Sequence, residues 1–328
     1  MKASADDLKT SDQWINPELE AEKTVKDADT SETSAALMFT LRLGGKRQAL
    51  TNEYDGIYKK EQHQNQMNVQ GARLDHMMQL YRLTQLRREI AIEDETVTTY
   101  TKVIKQYNRP KLSPEHEVTL SLFNMAISDH KIKLSSLKAT EDMLLDRITA
   151  VTGLSKNIII KHLPPQKKDW PAYNVKADQA ETLDVKIAGS ELKIAESQLE
   201  KAQGSAWPDL RLGPAVKQIQ ANNQTETFTG VALSMPLPVF NMNGNQKSAE
   251  KHRVQAAKLD FENAQMQSKI NRDGLVRKYK ALVENLKTTV SLTTVDNNHH
   301  KLERQFFNGM VSGVLVIEAH RQLIEFEE

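Results

Sequence analysis

The chain has 328 residues, with 44 Lys plus Arg against 43 Asp plus Glu and a net charge of +1. So even a balance lacks the basic excess that holds nucleic acid, and no nucleic-acid partner is expected. The absence of cysteine excludes disulfides, thiolate metal sites and cysteine nucleophiles together, and no run approaches the roughly 18 apolar residues of a membrane helix.

Residues 1–15 form a polar segment without the apolar core of a signal peptide. Residues 16–43 read as a β hairpin. "NPELEAEKTVKD" is followed by the polar turn "ADTSET" and by "SAALMFTLRL", where Leu37, Phe39, Leu41 and Leu43 share one face and Ala36, Met38, Thr40 and Arg42 the other. Gly44 and Gly45 then form a pivot into a long helical hairpin over 44–153. Its first helix, Lys46 to Asn108, spans on the order of 90 Å, with Gly56 and Gly71 as tolerated interruptions. Leu83, Leu86, Ile90, Val97, Tyr100, Ile104 and Tyr107 follow coiled-coil spacing, and Glu93 occupies the missed step. A turn near 108–114 contains Pro110 and Pro114, with Ser113 as an N-cap. The second helix ends near Val151, before Gly153.

An irregular segment over 154–175 carries Pro164, Pro165 and Pro171, and a helix over 176–204 closes at Gly204. A second β hairpin follows over 205–240. Leu210, Leu212 and Val216 oppose Arg211 and Lys217; after the turn "ANNQTE", Val231, Leu233, Met235, Leu237 and Val239 lie on one face. A second long helical hairpin over 241–328 opens at "NMNGNQ" with a helix of about 60 residues, and turns near 306–313. Its apolar row is Val254, Ala257, Phe261, Ala264, Leu275, Tyr279, Leu282 and Leu286.

The chain is therefore an internal duplication. Pro17 matches Pro208, Leu41 matches Leu237 and Ser113 matches Ser312, at offsets of 191, 196 and 199, a drift that small insertions produce. Hairpins with one apolar face beside helices too long for a globule have two physical readings. One is a coiled-coil protein with short β decorations. The other is a barrel wall: four strands per chain in three chains make twelve, enough to close a barrel without free edges. The polar face would then line a lumen with Arg42, Arg211 and Lys217.

"NPELEAE", "LMFTLRLGGKRQA", "KLSPEHEV", "WPDLRLGPAV" and "LSMPLPVFNMNGNQKSAE" together resemble the outer-membrane efflux factors of TolC type. "LGGKR" paired with "PLPVFNMNGN" most resembles the CzcC/CusC-like heavy-metal branch. The resemblance runs from about Asn16 to Glu328. It implies a mainly α chain that forms a homotrimeric channel-tunnel: a twelve-stranded barrel in the outer membrane of a Gram-negative bacterium and an α-helical barrel across the periplasm. It further implies a passive, gated duct for heavy-metal cations that uses no cofactor, docks on a periplasmic adaptor and is fed by an inner-membrane pump. Relative to that pattern, no long helix precedes "NPELEAE", the last helix stops soon after it starts, and no lipid-accepting cysteine is present, so a trimmed chain is expected.

The resemblance places adaptor docking at the two helix–helix turns, on Arg109, Leu112, Ser113, Gly309, Val311 and Ser312; Ser113 and Ser312 also suit helix capping. It places a gate near Leu315 and Glu318, where a ring of three Glu318 side chains would favour cations; a solvated helix-face glutamate is the plainer reading. The joint between strand and helix falls on Gly44 and Gly45 in one half and Asn243 and Gly244 in the other. His299–His300 and Met77–Met78 are adjacent pairs that point about 100° apart on a helix, so no metal site is expected. No enzymatic motif is present. A periplasmic adaptor or coiled-coil scaffold is the alternative reading; it needs no apolar-faced hairpins.

Overall fold

The computed structural model describes residues 1–27, 30–107, 114–165, 170–173, 181–221, 224–238, 243–289, 292–308 and 310–327. In chain order the elements are α1 (Lys2–Ser11), β1 (Glu18–Asp27), β2 (Thr30–Leu41), α2 (Lys46–Tyr107), α3 (Pro114–Thr152), α4 (Lys156–Lys161), α5 (Leu183–Gly204), β3 (Leu210–Ala221), β4 (Gln224–Ser234), α6 (Gly244–Thr288), α7 (Leu292–Phe307) and α8 (Gly313–Glu327). This is the expected class: mainly helical, with four strands in two hairpins. Among the described residues no helix is long and apolar enough to cross a membrane.

Two compact units divide the chain, Met1–Val69 with Asn174–Val276 and Gln70–Tyr173 with Arg277–Glu328. The first holds one antiparallel sheet in the order β1-β2-β3-β4. Its register sets Leu19 against Leu37, Phe39 against Leu212 and Leu212 against Leu233. One face is therefore apolar across all four strands. The alternate positions place Glu18, Glu20, Arg211 and Lys217 on the other face.

β4 ends at Ser234, short of the row expected to run through Met235 and Leu237. Pro236 and Pro238 follow; neither has an N–H to donate to a ladder. Gly213 is buried in β3, where a Cβ would collide with the Leu37 carbonyl of β2, so only glycine fits that crossing.

Helices in this unit lock together through small residues and ion pairs. Gly56 is more than a tolerated interruption: a Cβ there would come within 2.8 Å of Ile194 on α5. Lys193 of α5 pairs with Asp55 of α2, and Lys60 of α2 reaches Glu191 of α5 at 2.7 Å. The polar N-terminal segment contains α1, whose Ser4 donates to Glu61 of α2 at 2.5 Å.

In the second unit, α3 opens on Pro114, whose missing N–H costs nothing at the first helical position. It ends before Gly153, which takes the left-handed φ of +69°. Tyr100, Val103, Phe123, Ile127, Phe306 and Val316 form a core shared by α2, α3, α7 and α8. Leu83, Leu145, Ile148 and Ile159 form another, in which α4 supplies order to a stretch read as irregular. The single helix of about 60 residues expected after "NMNGNQ" is instead two: α6 ends at Thr288 and α7 begins at Leu292. Thr288, Thr289, Thr294 and Val295 flank this region, and β-branched side chains weaken a helix by losing χ1 freedom.

Candidate functional site

Both strand-to-helix joints are built on α5. Gly44 and Gly45 adopt φ of +70° and +74° between β2 and α2, and Asn243 adopts +60° just before α6. Gly45 O accepts from Ala49 N at 3.0 Å, and Asn243 O accepts from Lys247 N at 3.0 Å. The two residues therefore hold the same station in the two repeats. A Cβ on Gly44 would stand 2.6 Å from Gly204 O, while the Asn243 amide donates to Ala202 O at 3.1 Å. Gly204, read as a helix stop, thus provides a backbone-to-backbone contact. Lys46 pairs with Asp209 at 2.7 Å and Arg47 with Asp12 at 2.9 Å, the latter stacking over Trp14. Gly244 is the first residue of α6, and a Cβ there would meet open space.

The polar sheet face is a charge lattice. Arg211 lies 2.5 Å from both Glu18 and Glu20, and Lys217 pairs with Glu32. Arg42 falls one residue beyond the end of β2, beside Trp14, Asn16 and Tyr54. On the opposite face Leu19, Val231 and Leu233 are at least 70% exposed, a waste of apolar surface unless something covers it.

Arg109, Leu112, Ser113 and Gly309 lie outside the described residues. Val311 packs on the core shared by the four helices, and Ser312 precedes α8, its carbonyl accepting from Leu315 N at 3.1 Å. Glu318 is engaged within its own helix: Arg321 donates to both its oxygens at 3.0 and 2.6 Å, and Gln322 adds a third bond. The Arg321 guanidinium, then the Gln322 amide, hold this carboxyl down at about 2.

Sequence reasoning missed a buried polar cluster in the second unit. Glu93, the odd residue in the heptad row, is fully buried; His130 contacts it at 2.7 Å and Lys133 at 3.5 Å. Tyr100 stacks edge-on against both His130 and His320, and burial raises its phenol well above the ordinary value. Glu303 accepts from Thr99 at 2.9 Å and lies beside His299, His300 and His320. The His320 ring, followed by Thr99 and His299, outweighs burial and holds Glu303 at about 2. Two signals were legible: a charged residue inside an apolar row, and His299–Glu303 one helical turn apart.

No protein-family model matches the chain, and no curated protein matches it in sequence. Solved structures do match. The outer membrane protein VceC of Vibrio cholerae aligns over 99% of this chain and 85% of its own, with a TM-score of 0.74 and 13% identity. The CmeC outer membrane channel of Campylobacter jejuni aligns over 99% and 76%, with a TM-score of 0.72 and 12% identity. The chain has the fold of these outer-membrane proteins. CusC, whose crystal structures concern folding and transmembrane channel formation, aligns over 99% and 81% with a TM-score of 0.61 and 14% identity. The match thus extends over nearly all of the chain, hairpins and long helices together.

Proposed function

We propose that the chain is one protomer of an outer-membrane channel-tunnel, a passive gated duct of a tripartite efflux system. The observation that carries this reading is the sheet. Among the described residues β1 and β4 each have one unpaired edge, and one face exposes Leu19, Phe39, Val216, Val231 and Leu233. Three copies, edge to edge, would close twelve strands and turn that face to lipid, leaving Arg211 and Lys217 toward the lumen, with Arg42 just beyond the strand end. The fold likeness to VceC and CmeC supports the same reading. So does α3, where Val118, Leu122, Met125 and Ile132 are exposed at intervals of 4, 3 and 7, the spacing of a row awaiting another helix.

In this reading the protein is not an enzyme and sits in the outer membrane of a Gram-negative bacterium with a large periplasmic part. A periplasmic adaptor docks at the turns carrying Arg109, Leu112, Ser113, Gly309, Val311 and Ser312. An inner-membrane pump supplies the cargo, and Glu318 lies at the gate. Heavy-metal cations are the proposed cargo, on the likeness of "LGGKR" and "PLPVFNMNGN" to the metal branch. Mass measurement in detergent should give three times 37.1 kDa, and planar bilayers should show discrete conductance steps. A monodisperse monomer that needs no detergent would instead support the scaffold reading. Restored metal tolerance, without restored drug tolerance, in cells lacking their own duct would assign the cargo.

A further inference from the structure

Four side chains with metal-ligand chemistry converge in the second unit. His299, His300 and Glu303 come from α7 and Glu95 from α2, and one ligand atom of each lies within 4.8 Å of all the others. Adjacent histidines on a helix point about 100° apart, yet Glu303 resolves that divergence. It sits one turn on, with Oε1 3.6 Å from His299 Nε2 and Oε2 3.7 Å from His300 Nδ1. Glu95 closes the group across the helix pair, its Oε1 3.8 Å from His300 Nδ1. Bonds of about 2.0–2.1 Å in tetrahedral geometry set donors roughly 3.3–3.4 Å apart. Closure on an ion therefore asks for shifts of about half an ångström between the pairs named and of up to about 1.5 Å across the widest pair of the group, and the two outer residues, His300 and Glu95, are exposed enough to make them.

A second observation comes from α8. His320 is fully buried, and its Nδ1 lies 2.9 Å from the Val316 carbonyl, which can only accept, so Nδ1 carries a proton. The other nitrogen, Nε2, has no hydrogen-bond partner among the described residues and points at Glu303 Oε1 from 3.4 Å. The His320 and His299 rings stand 4.3 Å apart. With Nδ1 protonated, a neutral His320 turns the Nε2 lone pair toward that carboxylate, and two acceptors facing each other in a buried site are costly without a cation beside them. Thr99 fixes the same carboxylate from α2 at 2.9 Å, as the outer partners of metal ligands do.

We propose that this cluster binds one divalent transition cation of the zinc class, with Glu95, His299, His300 and Glu303 as ligands, Thr99 positioning Glu303, and the Nε2 lone pair of buried His320 turned toward the same cation. Two imidazoles and two carboxylates suit zinc, cobalt(II), nickel or copper(II), whereas the absence of thiolate disfavours copper(I). The ion would fasten α7 to α2. This is a resident site rather than a cargo pathway, and it stands whether or not the chain forms a duct.

The test is calorimetric titration of zinc chloride into the full chain in detergent. One zinc per chain is expected, with binding at about micromolar or tighter and a raised Tm on saturation. Cobalt(II) in place of zinc should give the intense visible bands of a tetrahedral site. His300→Gln and Glu95→Gln alter exposed side chains and should fold normally by circular dichroism, yet weaken zinc by at least about tenfold and abolish the cobalt bands. His252→Gln, on exposed α6 surface, should change neither. No zinc heat in the wild type, or undiminished affinity in both His300→Gln and Glu95→Gln, would overturn the proposal and leave an ion-pair network in its place.

Discussion

Gly44 and Gly204 meet backbone to backbone, so the turn from β2 into α2 is seated directly on the last turn of α5. The contact requires both an absent side chain and, at Gly44, a left-handed φ. Its counterpart in the second repeat, Asn243 on Ala202 O, uses a side-chain amide for the same purpose. One helix end thus anchors both places where strand becomes helix.

Gly44→Ala should be far more damaging than Gly45→Ala. Both positions have positive φ, which costs an alanine roughly 1–2 kcal/mol. Only Gly44 also faces the Gly204 carbonyl; nothing lies within 4 Å of a Cβ at Gly45. Thermal melts of the two variants should separate clearly, and equal losses would show that the glycine contact is not required.

Glu93→Ala should destabilise the protein by about 3–5 kcal/mol, because it removes the buried carboxylate that partners the His130 ring and the Lys133 ammonium. Glu93→Leu combined with His130→Leu should recover most of that loss, since an apolar pair fits the heptad row. Denaturant unfolding of single and double variants measures the difference.

Acid should weaken the α2–α5 contact. Burial pushes the Asp55 carboxyl up, but hydrogen bonds from Lys193 and Lys59 outweigh it and hold the group below its ordinary value of 3.8. A depressed folded-state value contributes stability above the unfolded value and loses it as pH falls through the folded one. The Tm difference between wild type and Asp55→Asn should therefore be full near neutral pH and vanish on titration to below about pH 3.

Arg211→Ala should leave the Tm within a few degrees, since exposed ion pairs contribute about 0–1 kcal/mol. In the proposed duct it should nonetheless shift reversal potentials toward cations by freeing Glu18 and Glu20. Arg321→Ala should act in the same direction by releasing Glu318. Unchanged selectivity in both variants would remove these charges from the conducting path.

Much of this architecture was legible in the residues. Alternation identified the hairpins and coiled-coil spacing the buried row of α2, because each depends on a local period that side chains impose on their own element; the offset between Pro17 and Pro208 identified the duplication because the same motifs recur in the same order. Boundaries were less secure where local chemistry intervened, as with Pro236 after β4 and the threonines between α6 and α7. Only the tertiary structure could show that Glu93 is a buried partner, that Gly56, Gly204 and Gly213 admit another backbone or side chain, and that Glu95, His299, His300 and Glu303 converge beside His320. Those facts belong to helices and strands far apart in the chain. A sequence states what each residue can bond to, whereas the packing of distant elements decides which bonds are made.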